Sequence, residues 1–268
     1  MLRFCILGPL EIHTATRTVR LRGSIQRRLL LVLLANARKL VLTDNLIGEL
    51  WPDGAPSRVE NALQAHVSRL RQRLMSLEPE HRQRRLVSHP AGYQLLVDDD
   101  DLDSGVFILE LERITPLAAA DPIAAADQLR TALALWRGPV LGGHVGGPLC
   151  AAAVVRYEES YLAAQELLFD CELSVGNHAK IVPDLRDVLS RYPFQERFWQ
   201  QLMIALYRCG RQGEALNVYR ELWNRLSDEL GLEPTPAMRD YERAILAQDP
   251  ILDLPPSLDV TNRSASVS

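Results

Sequence analysis

The stretch PSRVENALQAHVSRLRQRLMSL, residues 56–77, constrains this chain more than any other. Val59, Leu63, Val67, Leu70, Leu74 and Leu77 recur at intervals of three or four residues, which makes one narrow apolar stripe along a helix. Ser57 followed by Glu60 spells a capping box, so the helix is expected to open at its hydroxyl. The opposite side carries Asn61, Gln64, Ser68 and Gln72, flanked by Arg58, Arg69 and Arg71. Amides, a hydroxyl and guanidinium groups are the side chains that read base edges and clamp phosphates in a major groove. A solvated helix normally mixes Glu and Lys on its exposed face; here Glu60 is the single acid before Glu78.

Charge is divided unevenly along the chain. Its formal net charge is −4, yet residues 1–97 hold 15 Lys and Arg against 7 Asp and Glu, while residues 98–268 hold 15 against 27. A basic half joined to an acidic half suggests one part for a polyanion and another part for something else. The 268 residues suffice for two domains, and with 47% apolar residues a packed core is expected. The longest apolar run, residues 29–35, is far short of the roughly 20 residues of a membrane span, so no membrane association is expected. The start, MLRFCILGPL, reads as patterned sequence without a small-residue cleavage site, so no signal peptide is expected. Cys5, Cys150, Cys171 and Cys209 contain no CxxC pair. They read as buried free thiols of a cytoplasmic protein, not as a disulfide or zinc frame.

Taken in order, residues 2–22 alternate around Gly8-Pro9 and predict short antiparallel strands. Ser24 is the expected cap of an apolar helix over 25–37, whose polar edge is Gln26, Arg27 and Arg28; Thr43 is the expected cap of a second, ended by Trp51-Pro52-Asp53-Gly54. The helix over 57–77 follows. Then come a basic turn, residues 81–85, and two short strands around Pro90-Ala91-Gly92. Strands, three helices and a hairpin make an α+β winged helix over residues 1–97. Asp98 to Asp101, with Asp103, reads as a solvated acidic linker over 98–103 that ends the first domain; without an Asp-x-Asp-x-Asp-Gly loop no metal is expected there. From there the pattern is all-helical to residue 248. Gly176 and Gly210 lie 34 residues apart between paired helices, and GRQGEALNVYREL, residues 210–222, has the spelling of the second helix of a tetratricopeptide repeat. Such units stack on neighbours and leave a concave surface for protein partners. Residues 249–268, rich in proline and then polar, read as a disordered tail.

LQAHVSRLRQRL, residues 63–74, followed by AGYQL resembles the recognition helix and wing of OmpR-type winged helices. In that resemblance Arg69 reaches base edges, with Gln64 and Ser68 on the same face, and His66 and Arg71 fall near phosphates. Asn61 is a further phosphate candidate, as are Arg58, Arg84 and Arg85, for which plain surface charge is the competing reading. The wing-tip position that usually carries Arg is His89 here, and a neutral His is a poorer ligand for a narrow, negative minor groove. The turn from Trp51 to Pro56 is where related winged helices meet polymerase, with Trp51 and Asp53 as contact candidates, although Trp51 also reads as a core anchor.

The motifs FCILGPLEI, QRRLLLVLLANA, DNLIGELWPDGAP, HPAGYQLLV, DDDDLDSGVF and ALALWRGPVL occur in order, before LMIALYRCGRQGEALNVYRELWNRLSDELGLEPTPAMRDYERAIL. Over residues 2–248 they are similar to the Streptomyces antibiotic regulatory proteins with their bacterial transcriptional activation domain, here residues 104–248. The resemblance implies an activator of secondary-metabolite genes that binds direct repeats in double-stranded promoter DNA beside the −35 element. It further implies a homodimer on DNA and contact with RNA polymerase holoenzyme, including its sigma factor. No cofactor is implied. Some members of that family continue into a nucleotide-binding ATPase or a phosphopeptide-reading domain; neither is read here, so any control is expected to act on these two domains. Two other classes are weighed. An enzyme would need a catalytic constellation, and none is found: the Gly-rich loop LGGHVGGP around His144 lacks the phosphate-loop spelling and reads as an inter-helix loop. A helical-repeat adaptor without specific DNA binding would leave the polar face of the 57–77 helix unexplained.

Overall fold

The computed structural model describes residues 2–21, 23–79, 85–144 and 146–253. Three short strands open the chain: β1 (Arg3–Cys5), β2 (Glu11–His13) and β3 (Thr18–Val19), antiparallel in that order. Phe4 faces Ile12 and Ile12 faces Val19, and all three are buried. One apolar row across the sheet is what the alternation of residues 2–21 dictates.

Helix α1 (Ser24–Ala35) buries every residue from Leu29 to Ala35. β4 (Leu40–Leu42), α2 (Thr43–Leu50), α3 (Val59–Leu77), β5 (Leu86–His89) and β6 (Gly92–Leu95) follow. The wing sheet has the order β4-β6-β5, so the hairpin gains a third strand that the sequence reading omits. Three apolar residues directly before a helix carry too little alternation to separate from it. Gly92 is required where β4 and β6 meet: a Cβ there would lie 2.1 Å from the Val41 carbonyl oxygen.

Three expected caps are corrected. α3 begins at Val59 with Arg58 at its N-cap and no side-chain cap bond, so the Ser57–Glu60 capping box does not form. Ser24 is the first helical residue, after Gly23, and caps nothing. Thr43 is likewise inside α2, and its hydroxyl donates instead to the Ala91 carbonyl of the wing. In each case the helix enters directly from an extended or turn segment, and at Thr43 a tertiary contact takes the hydroxyl that was expected to cap.

The expected solvated linker at 98–103 is also corrected. Asp99–Asp101 is one 3₁₀ turn, Asp101 is buried, and Asp103 begins α4 (Asp103–Ile114) with its carboxylate inside. Asp103 accepts the backbone N–H of Ile6 at 2.7 Å and of Leu7 at 3.1 Å. Like charges pack when each finds its own donors; only Asp98, Asp99 and Asp100 face water.

The remaining helices are α5 (Leu117–Ala120), α6 (Pro122–Leu133), α7 (Pro148–Ser174), α8 (His178–Arg191), α9 (Glu196–Arg208), α10 (Gln212–Leu230) and α11 (Pro236–Ala247). Packing groups the chain into two compact units, one up to residue 115 with 128–164, the other 116–127 with 165 onward. Within the second unit α8 packs on α9, α9 on α10 and α10 on α11. This nearest-neighbour stacking is that of a tetratricopeptide-like array. Gly210, at φ 74°, ends α9 where the N–H of Arg211 returns to the Leu206 carbonyl, a left-handed stop that glycine adopts without penalty. The core of the array is Ile181, Leu185, Phe198, Leu202, Ala215, Val218 and Leu222. The tail reading needs a later start: Pro250–Leu252 forms a 3₁₀ turn with Leu252 buried, and Arg208 donates to the Leu252 carbonyl at 2.6 Å. Residues 254–268 lie outside the described residues.

Candidate nucleic-acid interface

The apolar stripe of α3 is inward, with Leu63, Val67, Leu70 and Leu74 buried. At 100° per residue this puts Asn61, Gln64, Ser68 and Gln72 on the opposite side, and all four are exposed, as is Arg69. The expected base-reading set, Gln64, Ser68 and Arg69, therefore lies together on one open helix face. Arg58 is exposed at the start of the same helix.

The flanking residues are less free. Arg71 donates through Nε to the Leu86 carbonyl at 3.0 Å and through its terminal nitrogen to Ser88 Oγ at 2.8 Å. It fastens the wing to α3, so its guanidinium reaches a phosphate only as part of that joint. His66 is half-buried; Gln26 of α1 donates to its Nδ1 and to its carbonyl, both at 3.2 Å. Burial, then the Arg69 charge, hold the imidazole below its ordinary pKa, so it is a neutral strut between α1 and α3. Trp51 stands 6.1 Å from the His66 ring, tilted at 57°, and its half-buried place against α3 fits the core-anchor reading. Asp53, two residues on, is exposed.

Arg85 is a correction. Neither phosphate ligand nor surface charge, it is buried, with Nε 2.8 Å from Glu78 and its terminal nitrogen 3.0 Å from Asp101. Burial alone would lower its pKa, but hydrogen bonds to both carboxylates hold it above the usual value. The triad joins the end of α3, the wing and the 3₁₀ turn. His89 is exposed, and its Nε2 lies 3.0 Å from Gln94 Oε1, while Gln94 donates to the Arg38 carbonyl at 2.6 Å. The imidazole is thus braced on the wing sheet. Arg84 lies outside the described residues.

Glu49 is a buried structural anchor that sequence reasoning missed. It is 1% exposed, and its carboxylate accepts the N–H of Leu149 at 2.6 Å, capping the start of α7. A carboxylate at a helix N-terminus is favoured by about 0.3–1 kcal/mol, more when partly buried. The signal was present: Glu49 falls in register with buried Leu46 and Leu50. In return Arg156 of α7 donates to the Ala35 carbonyl at the end of α1. Cys150 beside Glu49 has its thiol pushed up to about 12 by burial and that carboxylate; Cys5 and Cys171 are pushed to about 11, chiefly by burial. All four cysteines are free.

Residues 17–95 match the transcriptional regulatory protein C-terminal family, and residues 102–246 match the bacterial transcriptional activator domain. The chain belongs to the Streptomyces antibiotic regulatory protein family. It is 39% identical over 254 residues to the transcriptional regulator RedD of Streptomyces coelicolor, covering 94% of this chain and 73% of that one. It is 37% identical to the regulatory protein AfsR of the same organism, of which it spans 25%. Among solved structures it is similar to Mycobacterium tuberculosis EmbR in complex with a low-affinity phosphopeptide, with TM-score 0.84 and 30% identity; the match covers 92% of this chain and 65% of that one. Family membership makes this chain a DNA-binding transcriptional activator, acting on promoter DNA and RNA polymerase. Among the described residues no helix is long and apolar enough to cross a membrane, and no group of three or more His, Cys, Asp or Glu is placed to hold a metal ion.

Proposed function

We propose that α3 enters the major groove of short direct repeats beside the −35 element of promoters in a secondary-metabolite cluster. Arg69, Gln64 and Ser68 select bases there, and Arg58 and Asn61 meet the backbone. Two copies bind the repeats as a homodimer on DNA, and exposed Asp53 in the α2–α3 turn is available to RNA polymerase holoenzyme, its sigma factor included. The observation that carries this reading is the exposure of the whole amide, hydroxyl and guanidinium face of α3 opposite its buried stripe. The basic excess of residues 1–97 supplies the salt-dependent part of the affinity.

DNase footprinting on the promoters neighbouring its gene, with and without holoenzyme, tests the proposal. Protection of two short repeats one helical turn apart, strengthened by polymerase, is the expected result. Protection of a single site that polymerase does not alter would remove the dimer and the recruitment.

A further inference from the structure

A cavity of about 550 Å³ in the first compact unit lies apart from the α3 face. Its walls are the segment at Pro9, Arg20, the start of α1 with Arg27 and Arg28, and the turn that ends at His144. Such a volume falls in the range of small-molecule sites, about 300–1,000 Å³. Its chemistry is unusual for a structural void: three guanidinium groups and an imidazole line it, together with four leucines and a proline. Arg28 donates to the Leu50 carbonyl, yet its buried Nε has no hydrogen-bond partner among the described residues, and neither has the buried Nε2 of His144. Those two nitrogens are closed off from the void itself, so the groups that can meet a ligand there are the remaining guanidinium and imidazole nitrogens of the lining.

The turn that brings His144 here is specifically shaped. Leu141, Gly142 and Gly143 all have positive φ, at 54°, 68° and 70°, and a Cβ on Gly142 would lie 3.2 Å from Pro9 Cα. Gly142 lets the backbone approach Pro9, and the turn brings His144 to the same cavity as the start of α1. That start has no side-chain cap, so its first N–H groups add to the positive character of the wall.

Two acids offset part of the wall's charge, Glu11 at Arg20 and Glu49 behind His144, and leave Arg27 and Arg28 in excess. Glu11 is held by Arg137 at 3.0 Å as well as by Arg20 at 3.5 Å, and Glu49 is engaged with the start of α7 and is not part of the lining. His144 has its pKa lowered by burial first, with Arg28 and Arg27 lowering it further against the opposing pull of Glu49. The balance around the imidazole is cationic.

We propose that this cavity is a binding site for a phosphate-bearing small molecule, its phosphoryl oxygens taken by Arg27, Arg28 and His144 and any apolar body lying on the leucines. Guanidinium groups suit a multivalent oxyanion because each presents paired donors at fixed spacing. The same chemistry fits free phosphate or a phosphorylated metabolite, and a cavity of this size has room for the second.

Isothermal titration of the full chain with inorganic phosphate, pyrophosphate and a nucleoside monophosphate tests this without DNA, so its outcome is independent of the role proposed for α3. Saturable one-to-one binding is expected, weakened about tenfold or more in Arg27→Gln and His144→Gln, the loss of one charge-assisted hydrogen bond. Both variants should keep the unliganded unfolding midpoint. Tighter binding of the nucleoside monophosphate than of phosphate would assign a metabolite; equal binding would assign the free ion. Absence of saturable binding at millimolar concentrations overturns the proposal, as does equal affinity in wild type and both variants. Weakened DNA binding in Arg27→Gln with phosphate binding unchanged would also overturn it and assign the arginine to the DNA backbone.

Discussion

Arg69, Arg71 and Arg85 are the same residue type within one short stretch, and the structure gives them three different occupations. Arg69 is open to solvent on the polar face of α3, Arg71 is spent on the wing backbone, and Arg85 is enclosed between Glu78 and Asp101. Removing one member of a buried ion group leaves the others uncompensated, which costs about 3–5 kcal/mol. Arg85→Ala should therefore lower stability by about that much in urea unfolding. A change under about 1 kcal/mol, the scale of a surface pair, would show the triad to be solvated. The sequence shows none of this difference. Arg85 and Arg84 are adjacent and look alike, because burial of a guanidinium is decided by where Asp101 is placed sixteen residues later.

Among the elements, the wing sheet is held together by close backbone approach as much as by side chains. Its strand β4 reaches β6 only because position 92 lacks a Cβ. Gly92→Ala must separate the two strands and should cost about 1–3 kcal/mol, the usual scale of overpacking. Thermal unfolding measures this, and hydrogen exchange should show faster opening at Thr43, whose N–H is bound to the Ala91 carbonyl. An unchanged midpoint would mean that β4 does not pair as described. Helices were the legible part of this chain: the stripe of α3 and the 34-residue period were plain in the sequence because each is a long periodic pattern. The caps at Ser57, Ser24 and Thr43 were misread for the opposite reason, since one hydroxyl is a weak signal that any tertiary contact can override. The expected acidic linker failed similarly. A run of aspartates looks solvated until Ile6, Leu7 and Arg85 are found beside Asp103 and Asp101.

For the molecule as a whole, three partly buried histidines give stability a definite pH dependence. His66, His144 and His178 all have pKa values lowered by burial first and by neighbouring arginines second. At these three rings the unfolded chain binds more protons than the folded one, so their contribution to stability rises with pH. Their stabilisation is fully present above the unfolded histidine value of about 6.5 and is lost as pH falls from there through the lower folded values. The urea midpoint should hold above about pH 7 and fall as the pH drops below about 6.5; a flat profile would place these rings in water.

Promoter recognition through α3 is tested most directly by a quantitative mobility-shift titration of Arg69→Ala against wild type. It should be run on the footprinted repeat and on variants with each base pair changed in turn. The account predicts a loss of about 1–3 kcal/mol on the native repeat and a loss of discrimination at one base pair, with the other positions still distinguished. Wild-type affinity with wild-type base preference, in a variant of unchanged fold, would contradict it and remove α3 from the major groove.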